Sequence, residues 1–425
     1  MKLWPFRRKS DPATTDAVAA VAAGYPKAIG PADLVLAATV VVLIALGVVM
    51  VYSASAVYAE RHFHDAQHFL IRQAIFAMVG IPLAVAVARF DYHRWRSLTY
   101  PILLIAMVLL TATALGFGRS VNGAARWIPV GPINIQPAEL SKIALVLWLA
   151  HSLSKKQERI KSFSIGFLPH LLFAAVFVVL CLRQPDFGSA VMLVLLTFIM
   201  MFLAGARLGY ILGAVLAALP IAYVLVTSAA YRMRRIHAWL DPFRYRQDIG
   251  YQISESLMSF GSGGVTGVGL GDGRQKLFFL PEAHTDFISA IIGEELGFIG
   301  ICLVVAGFTI IAVRGVRAAW RAHDDYGMLL AFGITMFIVA PAFVNLGVAM
   351  GLVPTKGLAL PFLSAGGSAL LSNCFAVGIL FNVSRDREQP EGAGPSRSVT
   401  APATRTTTPP IVPVGGVARP EEVAG

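Results

Sequence analysis

Asp286 is the residue of this sequence whose type and position most clearly suggest chemistry. It follows a long, polar, glycine-rich stretch (residues 229–285) and directly precedes apolar chain. A buried ionisable side chain in a membrane segment costs roughly 2.5 to 3.5 kcal/mol, so it needs a function or a partner. A carboxylate there can take up a proton as a general base. The alternative is that Thr285 or Asp286 caps the following helix.

Basic residues at the same end of the apolar segments could face an anionic group. Lys356 is the only charged residue between Asp325 and Arg385, and an isolated cation at a membrane surface suits a diphosphate. Glu139 and Lys142 are three residues apart and share one face of a helix. They form either a self-compensated ion pair or the wall of a pocket.

The elements that position these residues are predicted to be membrane-spanning helices. Hydrophobic residues make up 56% of the chain, charged residues 14%, and the mean hydropathy is +0.68. These values exclude a soluble protein and predict an all-α integral membrane protein. The ten predicted spans are Leu34 to Tyr52, Gln73 to Ala88, Leu98 to Phe117, Ile135 to Ser154, Ser164 to Leu182, Phe187 to Ala206, Leu208 to Tyr231, Leu296 to Val313, Gly327 to Thr355 and Gly357 to Ser384.

Lys and Arg concentrate in alternate loops between these spans, which predicts cytoplasmic termini and an extracytoplasmic loop over residues 229–285. The net charge of +11 is then mainly a topology signal, and we do not expect nucleic-acid binding. Residues 1–31 and 385–425 are predicted to be disordered cytoplasmic tails around a membrane domain at 32–384. No cleavable signal peptide is expected, and the three cysteines are expected to pack.

The large loop contains further polar groups with two interpretations each. Its arginines, among them Arg234 and Arg235, oppose the topology trend and either bind an anionic ligand or reach lipid phosphates. Residues 250–260 are compatible with a short amphipathic helix. The glycine-rich run 261–273 lacks the context of a dinucleotide site and more plausibly permits a tight backbone course. Before the loop, in residues 183–188, ordinary turn chemistry explains Pro185, Asp186 and Gly188, and a functional role for this turn is the alternative.

Four motifs resemble those of a known family. They are Asn122-Gly-Ala-Ala-Arg126-Trp127; Gln136-Pro-Ala-Glu139; Leu280-Pro-Glu-Ala-His-Thr-Asp-Phe287 with Glu294-Glu-Leu-Gly297; and Asn345 with Gly351-Leu-Val-Pro354, Gly357 and Phe362-Leu-Ser-Ala-Gly-Gly-Ser-Ala369. Together they resemble the SEDS family (shape, elongation, division and sporulation) over residues 32–384. The run from Gln275 to His284 is more like the division branch than the elongation branch, which usually reads Pro-Glu-Arg-His. Ala138 departs from the usual serine, which removes at most one cap.

The resemblance implies a peptidoglycan glycosyltransferase that polymerises lipid II, an undecaprenyl-diphosphate-linked disaccharide peptide, into β-1,4 glycan strands during cell division. Asp286 matches the family's essential loop aspartate and would be the general base. The implied partners are a class B penicillin-binding transpeptidase and other divisome membrane proteins. The implied location is the bacterial inner membrane at the division septum, with the active site outside the cytoplasm.

The same motifs supply the expected substrate-binding residues. Cations among them would stabilise the leaving diphosphate. The sequence assigns no cofactor, and a divalent cation, Mg²⁺ or Mn²⁺, is an alternative for which the sequence contains no compact ligand cluster. The expected substrate-binding residues are Arg126, Trp127, Glu139, Lys142, Gln275, Lys276, His284, Lys356, Ser364 and Ser368.

Two other functions remain open at this point. The chain could transport or flip the same lipid-linked precursor, or it could be a non-catalytic scaffold for a transpeptidase. Polar groups near the bilayer centre would favour a transporter. Here the polar groups gather at one end of the spans, which favours an outward-facing reaction site.

Overall fold

The structure is a computed structural model that describes residue 30 and residues 33–385, except 122–123, 132, 229, 278–279, 281 and 355–356. All described residues belong to one compact unit, residues 1–387. The predicted tails lie almost entirely outside the described residues. Asn122, Thr355 and Lys356, which are named above, also lie outside them.

The described chain is mostly helical. Its helices are α1 (Leu34–Phe63), α2 (His68–Arg89), α3 (Tyr92–Ala114), α4 (Pro137–Lys155), α5 (Leu168–Arg183), α6 (Phe187–Leu203), α7 (Leu208–Thr227), α8 (Ala230–Leu240), α9 (Tyr251–Gly263), α10 (Ile288–Glu295), α11 (Gly297–Arg321), α12 (Asp325–Ala349) and α13 (Gly367–Val383). A 3₁₀ turn (Gln157–Arg159) and a π-helical turn (Phe163–Phe167) precede α5.

Ten of these helices correspond to the ten predicted spans. Among the described residues, six are long and apolar enough to cross a membrane: α1, α2, α3, α5 with its π-helical turn, α11 and α12. Helices α6, α7 and α13 are apolar but shorter. Helix α4 lies at the centre of the bundle, where every residue from 143 to 150 is buried. The prediction of an all-α integral membrane protein is confirmed.

The ninth predicted span ends too late and the tenth begins too early. Helix α12 ends at Ala349, and α13 begins only at Gly367, so residues 357–366 form a non-helical segment rather than the first turns of a span. Pro354 and Pro361 cannot donate backbone hydrogen bonds, and Phe362 has a positive φ of 65°, which no helix allows. This non-helical segment matters because it forms one wall of the candidate site.

A small antiparallel sheet between α3 and α4 was not predicted. It consists of β1 (Arg119–Val121), β2 (Ala124–Val130) and β3 (Ile133–Ile135), in the order β1-β2-β3. The predicted fourth span therefore starts too early, since Ile135 ends a strand and the helix begins at Pro137. The sheet carries Arg126 and Trp127 towards the end of the bundle where Asp286 lies.

The large loop packs on the membrane helices through its own short helices. The predicted amphipathic helix is confirmed as α9, which packs against α10. Glycine permits this close approach, because an added Cβ at Gly263 would lie 1.9 Å from the carbonyl oxygen of Gly293. At Gly267, which has φ +81°, a Cβ would lie 2.1 Å from the carbonyl oxygen of Glu295. The predicted tight backbone course is therefore observed.

Two glycines of α9 provide a matched test of this packing. We expect Gly263→Ala to lower the thermal unfolding temperature in detergent, because overpacking against rigid backbone typically costs about 1–3 kcal/mol. Gly261→Ala is the control, since nothing lies within 4 Å of its added Cβ. Alanine is favoured there by about 1 kcal/mol of helix propensity. Equal unfolding temperatures for the two variants would contradict the close packing of α9 on α10.

Candidate functional site

Asp286 lies in a turn whose backbone is held from three sides. The turn spans residues 282–287 and leads into α10. The amide of Ala365 donates to the carbonyl of His284 (2.9 Å), and Ser364 Oγ donates to that of Thr285 (2.6 Å). Asn345 Nδ2 donates to the carbonyl of Asp286 itself (2.8 Å). Three consecutive carbonyls are thus fixed by α12 and by the non-helical segment before α13.

Helix capping does not explain the Asp286 carboxylate. The residue that precedes α10 is Phe287, which makes no side-chain capping bond. Thr285 Oγ1 bonds to Glu282 instead. Among the described residues, no donor makes a hydrogen bond to the carboxylate of Asp286. Neither capping nor a bond from another described residue therefore accounts for this carboxylate.

Three chain segments meet at this carboxylate. It packs on Gly357, where an added Cβ would lie 2.5 Å from Oδ2 of Asp286. The start of α6 also packs on Gly357, since a Cβ added at Gly188 would lie 3.3 Å from the carbonyl oxygen of Gly357. Arg126 holds the turn before α6 by donating to the carbonyls of Gln184 and Pro185. Glycine at position 357 is what lets the carboxylate approach so closely.

The surroundings make the Asp286 carboxylate unusually basic. Burial, the largest cause, raises its pKa from 3.8 to about 6, and the negative charges of Glu282 and Asp186 act in the same direction. The charges of Arg126 and Arg235 oppose them. Asp186 is itself buried, caps α6 through Oδ1, and leaves its Oδ2 without a partner among the described residues. A carboxylate with a pKa near 6 is well suited to accept a proton close to neutral pH.

Glu139 and Lys142 form the predicted ion pair, with 2.6 Å between Lys142 Nζ and Glu139 Oε1. Lys142 is 3% exposed. The pair also lines a cavity of about 20 Å³, large enough for one water molecule, together with Leu358 and Asn373. The ion pair is observed, and the role of these two residues in binding a substrate stays a prediction. Leu358 joins this cavity to the Asp286 turn, since Asn345 Nδ2 also donates to the carbonyl of Leu358 (2.6 Å).

Gln275 and Lys276 lie in a different network. Lys276 Nζ pairs with Glu295 Oε1 (2.7 Å) and donates to Ser53 Oγ on α1 (3.0 Å). The amide of Gln275 donates to the carboxylate of Glu294. The two glutamates thus fasten the loop to α1 and α10, which explains their depth in the apolar chain. These contacts do not bring either residue beside Asp286, and their substrate-binding role stays a prediction.

A second, half-open cavity of about 270 Å³ adjoins the turn. It contains two of the predicted residues, Trp127 and His284, and burial lowers the pKa of His284. Two hydrogen bonds hold lining residues of this cavity to the chain around the start of α13. Ser368 Oγ donates to the carbonyl of Asn134, and Gln73 Nε2 donates to the carbonyl of Ser364 (3.3 Å). The cavity is lined by Phe69, Arg72, Gln73, Phe76, Arg119, Trp127, Asn134, His284, Thr285, Ala365, Gly366 and Gly367.

Sequence reasoning missed Arg72, Gln73 and Arg119. A usable signal existed, because Arg72 and Arg119 are basic residues at the end of the spans that the topology places outside the cytoplasm. Gln73 is a polar residue inside an apolar span. Each signal is weak alone, and only the fold brings the three together.

The divalent cation gains no support. Among the residues that the structure describes, no group of three or more His, Cys, Asp or Glu side chains is arranged to hold a metal ion. The divalent cation therefore stays an alternative, and we derive no step through one. Lys356, the isolated cation of the sequence, lies outside the described residues, so its predicted role stays a prediction.

The model of the "Cell cycle protein" family, which is named for FtsW, RodA and SpoVE, matches residues 33–389. The chain belongs to this family. The SEDS resemblance is thereby confirmed.

Among curated relatives, "Probable peptidoglycan glycosyltransferase FtsW" of Geobacter metallireducens is 50% identical over 353 residues, covering 83% of this chain and 94% of the relative. "Stage V sporulation protein E" of Bacillus subtilis is 43% identical over 356 residues, covering 83% and 97%. The greater likeness to a division protein agrees with the branch indicated by the run from Gln275 to His284.

Two solved structures have the same fold. A chain of the structure described as "Structural coordination of polymerization and crosslinking by a peptidoglycan synthase complex" is 29% identical, with a TM-score of 0.71 and coverage of 84% of this chain and 99% of that one. The rod shape determining protein RodA of Thermus thermophilus is 27% identical, with a TM-score of 0.63 and coverage of 84% and 98%.

Proposed function

We propose that this chain is a peptidoglycan glycosyltransferase that polymerises lipid II into β-1,4 glycan strands during cell division. The observation that carries the proposal is the Asp286 carboxylate. Hydrogen bonds fix the backbone that carries it, and its pKa is raised to about 6. No described residue donates a hydrogen bond to it. Relatives at 50% identity are named as probable peptidoglycan glycosyltransferases, which supports the substrate class.

The proposed step is a single displacement at a sugar carbon. Asp286 removes the proton from a hydroxyl of the acceptor saccharide, and the hydroxyl oxygen forms a bond to the anomeric carbon of the donor. The bond between that carbon and the donor's diphosphate breaks, and its electron pair leaves with the lipid diphosphate. The configuration at the carbon inverts, so no covalent enzyme intermediate is needed. The proton on Asp286 then passes to solvent.

Charge on the leaving diphosphate requires cations close to the base. Arg126 is the described cation whose charge acts most strongly on Asp286, and it is fixed in place by its two backbone acceptors. Lys142 is paired with Glu139, so it offers a hydrogen-bond donor with little net charge. We propose that Lys356, one residue before Gly357, completes this set.

The topology and location are part of the same proposal. The chain is a multi-pass membrane protein, and the basic residues of alternate loops support cytoplasmic termini. This arrangement places Asp286 and the large loop outside the cytoplasm, where a septal glycan strand would be built. Tails at 1–31 and 385–425 then flank a single membrane domain at 32–384.

We also propose a class B penicillin-binding transpeptidase as a partner. The similar chain in the synthase complex was solved in an assembly described as coordinating polymerization and crosslinking. Two large apolar side chains in the loop of the present chain are exposed, Leu240 at 68% and Phe243 at 57%. Exposed apolar side chains of this kind can support docking.

Replacing the proposed base provides the first test of function. We expect Asp286→Asn to abolish polymer formation from lipid II by the purified protein while leaving the unfolding temperature unchanged, because the amide is nearly isosteric but cannot act as the base. Asp272→Asn, an exposed change in the same loop, is the matched control and should keep full activity. Polymer from Asp286→Asn near the wild-type rate would refute the assignment. Translocation of lipid II without polymer by the wild-type protein would instead indicate a transporter.

The rate of polymerisation should depend on pH through Asp286. The base works only when deprotonated, so a pKa raised to about 6 predicts a rate that is full well above pH 6 and falls as the pH drops through that value. An ordinary aspartate would keep the rate down to about pH 4. Asp186→Asn removes a neighbouring negative charge but can still cap α6, so it should move the midpoint to lower pH. A wild-type midpoint near pH 4, measured at saturating lipid II, would contradict the raised pKa.

The partner proposal predicts a difference between the isolated chain and the complex. We expect slow polymerisation by the chain alone and faster polymerisation with the transpeptidase, because docking on the exposed side chains of Leu240 and Phe243 would hold that part of the loop in one arrangement during the reaction. Leu240→Ala with Phe243→Ala should reduce this stimulation and leave the rate of the isolated chain unchanged. Equal rates with and without the transpeptidase would refute the proposal.

A further inference from the structure

The half-open cavity contains two cations that the proposed chemistry does not use. Arg72 on α2 and Arg119 on β1 both line it, and both are exposed. Among the described residues, neither guanidinium makes an ion pair or a hydrogen bond. Two like charges that share one cavity repel each other, and a bound anion would remove that repulsion. Guanidinium groups also match the geometry of phosphate oxygens.

The other walls of the cavity suit a sugar beside that anion. Phe69, Phe76 and Trp127 offer apolar faces, and Asn134 and Gln73 bring polar groups. Gly366, the residue before α13, has no side chain to cap the helix, so the first amides of α13 keep their hydrogens for a ligand at this rim. An apolar wall with a few converging polar groups is the usual composition of a ligand pocket. The ligand class is therefore a saccharide that carries a phosphate or diphosphate.

The cavity and the Asp286 carboxylate have different neighbours along this turn. His284 and Thr285 line the cavity, whereas the carboxylate of Asp286 packs on Gly357 and is influenced by Arg126. Two cationic places thus adjoin the same turn. The first place is at Arg126, whose charge lowers the pKa of Asp286. The second is at Arg72 and Arg119, which are not among the charges that shift this pKa.

Each step of the proposed reaction joins two lipid-linked saccharides, and both carry a diphosphate. Only the donor's diphosphate gains charge in the transition state, so it belongs beside the base and Arg126. The acceptor's diphosphate does not react and needs only to be anchored. On the basis of the proposed function, we propose that the cavity at Arg72 and Arg119 is the acceptor subsite, which holds the non-reacting diphosphate and adjoining sugar of the molecule whose hydroxyl Asp286 deprotonates.

The test uses two lipid II analogues in one reaction with the full-length protein. One analogue has a blocked acceptor hydroxyl and can only donate, and the other carries a non-cleavable phosphonate and can only accept. Product formation is measured while each is varied separately. We expect Arg72→Gln and Arg119→Gln each to raise the KM for the acceptor about tenfold, the loss of one charge-assisted contact. The KM for the donor and kcat should stay nearly unchanged, because a remote anchor contributes equal binding energy to ground state and transition state.

Two further variants separate a ligand site from general damage. Arg317→Gln removes an exposed arginine of α11 and should change none of the constants. Gly366→Leu adds bulk at the cavity without removing charge and should also raise the acceptor KM. A Cβ at Gly366 meets only that of Ala369, at 3.6 Å, and its φ of −178° is open to any residue, so the fold should tolerate the change.

Binding of the acceptor analogue without turnover, measured by fluorescence, distinguishes this proposal from the proposed function. Suppose that the wild-type protein makes no product but binds the acceptor analogue more tightly than Arg72→Gln does. The proposed reaction would then be rejected, and the proposed binding site would be retained. A raised donor KM with an unchanged acceptor KM would overturn the assignment, because the cavity would then hold the donor. Unchanged KM values for both analogues in an active enzyme would show that the cavity binds neither substrate.

Discussion

The candidate site depends on one buried amide side chain, that of Asn345. Its Nδ2 donates to the carbonyls of both Asp286 and Leu358, and its Oδ1 accepts from Ser289 Oγ on α10. Asn345 is 1% exposed, so losing any of these bonds would leave a polar group buried without a partner, which costs about 1–3 kcal/mol. The turn that carries the carboxylate and the non-helical segment beside it are therefore fixed to the same atom of α12.

The second constraint is the burial of charge near the loop. Glu295 is 1% exposed, and its carboxylate is compensated by Lys276 and by Ser53 Oγ. Glu294 is compensated by backbone amides at Arg274 and Gln275. Buried pairs add little stability in themselves, but removal of one partner is strongly unfavourable. These bonds therefore specify where the loop sits on α1 and α10.

Local patterns in the sequence predicted much of this structure. Apolar length predicted the ten spans, and residue spacing predicted both α9 and the pairing of Glu139 with Lys142. The position of Asp286 at the end of the polar stretch was enough to nominate it. Each of these inferences uses residues that are neighbours in the chain or one helical turn apart.

The features that were missed depend on partners far away in the chain. Lys276 bonds to Ser53, 223 residues earlier, and Gln73 bonds to Ser364, 291 residues later. No local pattern encodes such pairs. The late start of α13 has the same origin, because the non-helical residues before it bond to Asn345 and to the Asp286 turn as well as among themselves. The apolar composition of that segment agrees with its burial but could not predict its conformation.

The half-open form of the larger cavity determines how a substrate would reach it. Arg72 and Gln73 lie on α2 between the exposed apolar side chains of Ile71 and Ile75, and Met78 is exposed one turn further along. A ligand with a long hydrocarbon tail could therefore enter sideways, with its polar head in the cavity and its tail still among lipids. The search for the site would then be two-dimensional, and the rate of encounter would follow the density of substrate per membrane area rather than its concentration in water.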